Sequence, residues 1–484
     1  TISGTGALTK QGTGKLILEG NNSAYTGNVS IAAGTLVINN SNAVGQSNTV
    51  TFANSTTLET NKAAAVSLAN TTIQLAGNTT VNNADTSSLT IANAITETAT
   101  GSGLTKAGTG TLTLNGANSY TGNTSITGGN VVLGTNAATL GAGVVTLANA
   151  TTLETSANAI VANAVTLSGG QATLSTVSAN NSLTMNNTVN GDGGLIKAGA
   201  GTLTLNAENT YKGNTAITGG KVVLGNAATL GAGGTVTLAD ATTLETSATA
   251  TVANAIVLSG GQATVSTTVT GSSLTINQAM TGDGGLIKSG TGTLTLGSAN
   301  TYTGGTTVNA GTVVLATDTA SLGSGAVTLK AGTILDTAAS LANAIQLTGD
   351  GDSSTKTDLV RLNVAQANSS TLSGIVTGDA GLIKDGIGQL TLTGDNSNYT
   401  GDIHVDVGTV SINNSHALGG SNTVSFATDT MLKTTDTVTL ENNILLSGTG
   451  NTTLDSASHD STFKTGTISG TGALTKQGTG KLIL

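Results

Sequence analysis

The sequence predicts an all-β protein, specifically a right-handed parallel β-helix (β-solenoid) of roughly 20 coils. Three observations favour this fold. The 484-residue chain repeats itself at a nearly fixed interval, threonine alternates with leucine along short segments, and proline is absent. Proline cannot donate a hydrogen bond to a strand ladder, so its absence suits strands that are paired on both edges.

The repeat is clearest in a lysine-containing block. Residues 1–18, TISGTGALTKQGTGKLIL, return unchanged as residues 467–484. Successive motif lysines are 91 to 96 residues apart: Lys10, Lys106, Lys197, Lys288, Lys384 and Lys476. A fixed period indicates an array of similar units. We therefore predict a single continuous solenoid over residues 1–484. It contains repeats one to five, at about 4–99, 100–190, 191–281, 282–377 and 378–469, plus the start of a sixth at 470–484.

Within a repeat the dominant pattern has a period of two. Thr111 to Leu114 alternates small polar and apolar side chains, which places leucine on one face of a strand. Glycine and asparagine clusters such as 191–194 separate these segments and predict tight turns. Short strands with regular turns also fit a sandwich or a closed barrel. A solenoid accepts tandem copies without linkers, so we favour it. The alanine-rich stretches 63–65 and 156–165 leave short helices open as an alternative.

Composition excludes several classes of protein. No cysteine is present, so there is no disulfide framework and no thiolate metal site. The net charge is −9 and Arg361 is the only arginine, which disfavours nucleic acid as a partner. No apolar run approaches the roughly 20 residues of a membrane-spanning helix. We expect no cofactor and no membrane insertion by this segment.

The block from Gly101 to Gly122, GSGLTKAGTGTLTLNGANSYTG, resembles the autotransporter-associated β-strand repeat, also called the passenger-associated transport repeat. Its motif residues include Lys106, Asn118 and Tyr120. Repeat three departs from the pattern at Ala207 and Lys212. The resemblance implies a right-handed β-helix at a Gram-negative cell surface, exported by a type V route as a passenger. The signal peptide and translocator are then expected outside this segment, as parts of a longer protein.

Two clusters are candidate sites. Alternation places Asp402, His404 and Asp406 on one strand face, where carboxylates and an imidazole could bind a metal or transfer protons. Equivalent positions in other repeats are neutral, so we interpret this row as a solvated face. The Asp350-Gly351-Asp352 turn is interpreted as a surface turn rather than a calcium site. We therefore predict no catalytic, cofactor-binding or metal-binding residues.

The motif lysines and tyrosines are expected to be structural. We expect each lysine in a turn, with its stem over the coil edge, and each tyrosine packed at a corner with its hydroxyl hydrogen-bonded. A row of motif side chains recurring once per repeat is too widely spaced to form a basic stripe or a stacking platform.

The predicted function is that of a structural extracellular stalk or adhesin segment, acting as a rigid spacer or an adhesive surface on the bacterial exterior. An alternative is a self-assembling filament protein that stacks end to end. Weaker alternatives are a polysaccharide-cleaving β-helix enzyme and an ice-binding or mineral-binding threonine face. The expected partners are neighbouring copies or flanking repeats of the same protein, and host-cell or surface glycans.

Overall fold

The computed structural model describes residues 1–61, 65–84, 86–225, 229–349, 359–365, 368–464 and 466–484. The chain divides into two compact units, unit 1 (Thr1–Thr237) and unit 2 (Leu238–Leu484). Every helical or extended element in the described ranges is a β-strand. Accordingly, these ranges contain no helix that could cross a bilayer.

Unit 1 is built from short strands of three to six residues. They are β1 (Leu8–Lys10), β2 (Lys15–Leu18), β3 (Val29–Ile31), β4 (Thr35–Ile38), β5 (Thr49–Ala53), β6 (Thr56–Thr60), β7 (Ala65–Leu68), β8 (Thr72–Ala76), β9 (Thr79–Asn83), β10 (Ser88–Ile91), β11 (Ile95–Glu97), β12 (Leu104–Ala107), β13 (Thr111–Leu114), β14 (Thr124–Ile126), β15 (Asn130–Leu133), β16 (Val145–Ala148), β17 (Thr152–Thr155), β18 (Ala159–Val161), β19 (Val165–Ser168), β20 (Gln171–Thr176), β21 (Ser182–Met185), β22 (Val189–Gly191), β23 (Gly194–Ala198), β24 (Thr202–Leu205), β25 (Thr215–Ile217), β26 (Lys221–Leu224) and, at the boundary, β27 (Val236–Ala239).

Unit 2 has the same construction. Its strands are β28 (Thr243–Thr246), β29 (Thr249–Val252), β30 (Ile256–Ser259), β31 (Gln262–Thr267), β32 (Ser273–Ile276), β33 (Met280–Gly282), β34 (Gly285–Ser289), β35 (Thr293–Leu296), β36 (Thr306–Val308), β37 (Thr312–Leu315), β38 (Val327–Lys330), β39 (Ile334–Thr337), β40 (Ile345–Thr348), β41 (Val360–Asn363), β42 (Ser369–Leu372), β43 (Val376–Gly378), β44 (Leu382–Asp385), β45 (Gln389–Leu392), β46 (Ile403–Val405), β47 (Thr409–Ile412), β48 (Thr423–Phe426), β49 (Met431–Thr434), β50 (Val438–Leu440), β51 (Asn443–Leu446), β52 (Asn451–Asp455), β53 (Ser461–Phe463), β54 (Ile468–Gly470), β55 (Ala473–Gln477) and β56 (Leu482–Ile483).

Strand pairing within each unit is parallel and joins strands two or three positions apart along the chain. In unit 1, one sheet has the order β2-β4-β6-β9-β12-β14-β16-β19-β22. In unit 2, one sheet has the order β29-β32-β35-β37-β39-β41-β44-β46-β48-β51-β54. Such skipping places each strand above the equivalent strand of the previous coil. The parallel β-solenoid has about 21 turns, which confirms the predicted fold class and coil number. The right-handed sense and the continuity of the solenoid over residues 1–484 stay predictions.

The core lies between the sheets and consists of apolar columns in register. In unit 1, Leu89, Leu112, Val131 and Leu153 are aligned on successive strands and are almost fully buried. Each such side chain contributes about 1.5–3 kcal/mol through burial. Thr113, on the opposite face of its strand, is half-buried. The period-two pattern of the sequence thus determines which side chains enter the core.

The alanine-rich stretches form strands where the structure describes them. Within 156–165, Ala159–Val161 is strand β18, and Val165 begins β19. Residues 63 and 64 of the other stretch lie outside the described residues, and Ala65 begins β7. The helical alternative is therefore wrong for 156–165. Isoleucine and valine recur there at strand spacing, and their branched Cβ atoms suit the pleated conformation.

Candidate functional site

The motif lysines occupy core positions, and their expected place over the coil edge was wrong. Lys106, Lys197, Lys288 and Lys384 have no exposed surface. Lys197 is aligned between Leu174 of the coil before and Ile217 of the coil after, within an apolar column. The alternation itself puts the lysine inside, because the motif G-x-L-x-K gives lysine the same parity as leucine.

Each buried ammonium group is held by backbone carbonyl groups. Lys197 Nζ donates to Ala198 O and Gly199 O at 2.8 Å, and to Gly219 O at 3.0 Å. The first two carbonyls belong to the turn that follows the lysine, and the third belongs to the next coil. Lys106, Lys288 and Lys384 make the same three contacts at 2.6–3.0 Å. An ammonium group has three donors, so this carbonyl cage satisfies all of them. The lysine therefore closes a turn and ties it to the neighbouring coil.

The lysine cages have a consequence for pH dependence. Burial lowers the pKa of Lys106, Lys197, Lys288 and Lys384 to about 8, whereas an unfolded lysine titrates near 10.4. Between these values the unfolded chain binds more protons than the folded chain, so the free energy of unfolding should rise with pH. The upper limit is about 3 kcal/mol per lysine. A neutral amine leaves one carbonyl without a donor, which reduces the gain.

The buried tyrosines reverse this trend at higher pH. Burial raises the pKa of Tyr120, Tyr211, Tyr302 and Tyr399 above the ordinary value near 10. Above about pH 10 the unfolded chain loses phenolic protons that the folded chain keeps, so stability falls. We expect thermal stability to rise from about pH 8 and to reach its maximum near pH 10, measured by circular dichroism at closely spaced pH values. A steady decrease in stability from pH 7 upward would contradict the assignment.

The motif asparagine joins three coils. Asn118 Oδ1 accepts from Ile95 N of the preceding coil at 2.7 Å, and Asn118 Nδ2 donates to Thr139 O of the following coil at 2.6 Å. The same two-sided pairing is made by Asn22, Asn209, Asn300 and Asn396. This bridging role was not predicted from the sequence. Its recurrence two or three residues before every tyrosine was the available signal.

All five tyrosines are buried and hydrogen-bonded, which confirms their expected structural role. In repeats two, three and four the hydroxyl pairs with a threonine Oγ1 four residues later, at 2.6–2.7 Å. Val29 and Ile403 take the threonine's place in repeats one and five. There the hydroxyl donates to a backbone carbonyl instead, from Tyr25 to Gly6 O at 2.8 Å and from Tyr399 to Ala380 O at 3.0 Å.

We expect Thr306→Val to destabilise repeat four by about 1–2 kcal/mol. Thr306 Oγ1 joins the Tyr302 hydroxyl to Leu322 O, at 2.6 and 2.9 Å. Valine removes both contacts, whereas Tyr302→Phe removes one and should cost about 1 kcal/mol. A double-mutant cycle of these two substitutions, with the stability of each variant measured by hydrogen exchange, should give a coupling energy near 1 kcal/mol. A coupling energy of zero would show that the hydroxyl pair is not a unit.

The Asp402, His404 and Asp406 row lies on the outward face around β46, as the alternation predicted. Asp402 Oδ1 accepts from Thr423 N of the next coil at 2.9 Å. Asn123 and Asn214 make the equivalent contact in repeats two and three. His404 Nδ1 lies 2.7 Å from Ser425 Oγ. Asp402 thus accepts the same hydrogen bond from the next coil that an asparagine accepts in repeats two and three.

The described residues contain no group of three histidine, aspartate or glutamate side chains placed to hold a metal ion. The Asp350-Gly351-Asp352 segment, predicted to be a surface turn, lies outside the described residues. Arg361 pairs with Asp385 through Nη1 and Oδ2, at 2.5 Å, on the same outward face. The lysine, asparagine and tyrosine of the motif hydrogen-bond to the chain itself, so the motif holds the coils together.

Five segments of the chain match one known repeat family. The matched residues are 8–38, 104–133, 195–224, 286–315 and 382–412, and the family is described as the passenger-associated-transport-repeat. Each of the five motif blocks is thus similar to the passenger-associated-transport-repeat family. Each matched segment contains the buried lysine, the bridging asparagine and the tyrosine. The predicted resemblance is therefore confirmed.

A curated relative is similar over a longer stretch. The chain is 35% identical over 316 residues to a protein named Adhesin BmaC autotransporter, from Brucella suis biovar 1 (strain 1330). The alignment covers 60% of this chain and 9% of the adhesin. The chain thus resembles a small part of a much longer protein that is named as an autotransporter. No solved structure matches the chain significantly.

Proposed function

We propose that this chain is an extracellular segment of an autotransporter passenger, which serves as an adhesive spacer on the bacterial outer surface. The observation that carries the proposal is the internal use of the motif's polar side chains. In repeats two to four the lysine, asparagine and tyrosine are buried and hydrogen-bonded within the chain, to their own coil or to a neighbouring coil. The repeats therefore supply a scaffold, and recognition is left to the outward strand faces.

The relation to a protein named as an adhesin supports the adhesive part of the proposal. The parallel ladders support the spacer part. In each unit, hydrogen bonds between successive coils follow one direction, and such stacked ladders resist bending. Only 8% of the residues are charged, which fits a chain that interacts through hydrogen-bonding surfaces rather than through long-range electrostatic attraction.

The two parts of the proposal can be tested separately. Beads coated with the purified chain are expected to adhere to host cells more than beads coated with an unrelated β-solenoid. An in-frame deletion of residues 191–281 joins equivalent motif positions, because Lys197 and Lys288 are 91 residues apart. Displayed on bacteria, this variant should keep its adhesion and hold the target closer to the cell. Equal adhesion of both bead types would contradict the adhesive part, and an unchanged distance would contradict the spacer part.

A second candidate function is end-to-end association of copies. The 18-residue sequence 1–18 pairs with the coil that follows it, through β1 with β3 and β2 with β4. The identical sequence at 467–484 pairs with the coil that precedes it, through β54 with β51 and β55 with β52. This sequence therefore accepts partners on either side. Electron micrographs at rising concentration should show longer particles; particles of constant length would exclude the filament.

The enzyme alternative predicts release of reducing ends from acidic polysaccharides. Asp402 and Asp406 are the carboxylates that such an activity would need, and we propose that they are structural or recognition residues. Equal reducing-end signals from the chain and from an Asp402→Asn, Asp406→Asn variant would support this proposal. A signal that disappears in the variant would overturn it.

A further inference from the structure

A groove crosses the outside of unit 2 in repeat five. Its volume is about 560 Å³. Its walls come from the corner turns of three successive coils, between β44 and β45, between β46 and β47, and between β48 and β49. The residues that give it chemical character are Ile387, Asp406, Val407, Asp429 and Met431. Ile387 is 53% exposed.

The other repeats show that the coil corner does not require these residues. The Ile387 position holds Thr13, Thr109, Ala200 and Thr291 in repeats one to four. The Asp406 position holds Ala32, Thr127, Thr218 and Asn309, and the Asp429 position holds Ser55, Ala150, Ala241 and Gly332. These twelve residues are uncharged, and none is larger than asparagine. Repeat five therefore carries two carboxylates and an exposed isoleucine at positions where small uncharged side chains are sufficient for folding.

The groove selects a ligand that is cationic and apolar together. Asp406 and Asp429 are the charged side chains that line it, and no basic side chain does. Ile387, Val407 and Met431 supply apolar surface beside the carboxylates. Lysine and arginine carry this combination within one side chain, since a long aliphatic stem bears the charge.

The length of the groove favours a peptide. Three coils spaced about 4.8 Å apart span roughly 10 Å between the outer strands, and a fourth coil reaches it through Asn451 and Thr453. An extended chain advances about 3.3 Å per residue, so three to five residues fit. A single small cation would occupy only a fraction of this space.

We propose that this groove binds an extended basic and apolar segment of another protein, with lysine or arginine at Asp406 and Asp429 and an aliphatic side chain at Ile387. The inference rests on the proposed adhesive function and names the chemistry of one adhesive site. Binding is expected to weaken with salt, because exposed ion pairs are screened. The remaining outward faces of unit 2 can adhere independently of this groove.

The test uses the full 484-residue chain and a fluorescein-labelled decapeptide of alternating lysine and valine. Fluorescence anisotropy should show that binding weakens several-fold when the salt concentration rises from 50 to 300 mM. Added salt shortens the distance over which charges attract each other, from roughly 30 Å at 0.01 M to roughly 3 Å at 1 M. The variant Ile387→Thr, Asp406→Asn, Asp429→Gly installs the residues of repeat four, so it should fold. We expect it to bind at least about tenfold more weakly, as the loss of two charge contacts and an apolar contact predicts.

The matched control is Asp318→Asn, Asp436→Asn, which removes the same charge from exposed positions of unit 2 outside the groove. It should bind like the unaltered chain, and a glutamate-valine decapeptide should bind to neither. Equal weakening in the control would show charge attraction without a site and overturn the inference. Undiminished binding by the triple variant, or no binding by the unaltered chain, would also overturn it. Bead adhesion that survives in the triple variant would leave the proposed adhesive function intact.

Discussion

Replacing Lys197 by methionine is expected to lower the local free energy of unfolding by about 2–4 kcal/mol. Methionine keeps the aliphatic stem in the apolar column but cannot donate a hydrogen bond. Ala198 O, Gly199 O and Gly219 O then lose their ammonium partner. A buried acceptor without a donor costs about 1–3 kcal/mol. The substitution also removes the free-energy penalty of desolvating the ammonium group, and this offsets part of the loss.

Hydrogen exchange followed by mass spectrometry would measure this effect locally, because a solenoid does not unfold as one unit. Amides of residues 194–220 should exchange faster in Lys197→Met. The matched control is Lys212→Met, which changes an exposed lysine of the same repeat and should leave exchange unchanged. Equal protection in both variants would show that the carbonyl cage adds nothing to stability.

Replacing Gly290 by alanine should destabilise repeat four by about 3–5 kcal/mol, as overpacking against backbone together with an unfavourable φ predicts. Gly290 has φ +73° and follows strand β34. A Cβ atom there would lie 2.1 Å from Thr267 O of the preceding coil. The backbone of the preceding coil at Thr267, or that of Gly290 itself, would have to move. Gly290 O also accepts from Lys288 Nζ at 2.7 Å, so the shift would disturb the lysine cage.

Gly271 provides the control for backbone conformation alone. Its φ is +91°, and a Cβ atom there would meet no atom within 4 Å. Gly271→Ala therefore reports the cost of a positive φ, about 1–2 kcal/mol. Urea denaturation and hydrogen exchange of both variants should show the larger loss at Gly290. Equal losses would mean that neighbouring coils adapt to the extra methyl group.

Much of the fold was predictable because its two periods are both present in the sequence. Alternation at a period of two determined which side chains face the core, as Leu112 and Thr113 show. Recurrence of the lysine, asparagine and tyrosine block identified the motif, and five segments that contain it match one repeat family. The boundaries of the five predicted repeats stay predictions. The outward position of Asp402, His404 and Asp406 followed from the same alternation.

The roles of the motif residues were harder to predict. Lys106 was expected over a coil edge because charged side chains usually stay in water. The alternation placed it inside, but only the structure shows that three carbonyls converge on its ammonium group. The groove of repeat five was also missed. Ile387 and Asp429 are 42 residues apart in sequence, and coil stacking brings them to one surface.

By itself the sequence determined the strands, the inward and outward faces and the repeat, because these depend on residues close together along the chain. Tertiary structure decided which carbonyls surround each lysine, which coils each asparagine joins and which turns form the groove. The contacts between coils link residues about 20 positions or more apart, and they depend on the register between coils. A small change in the number of residues per coil would alter every one of them while leaving the local patterns unchanged.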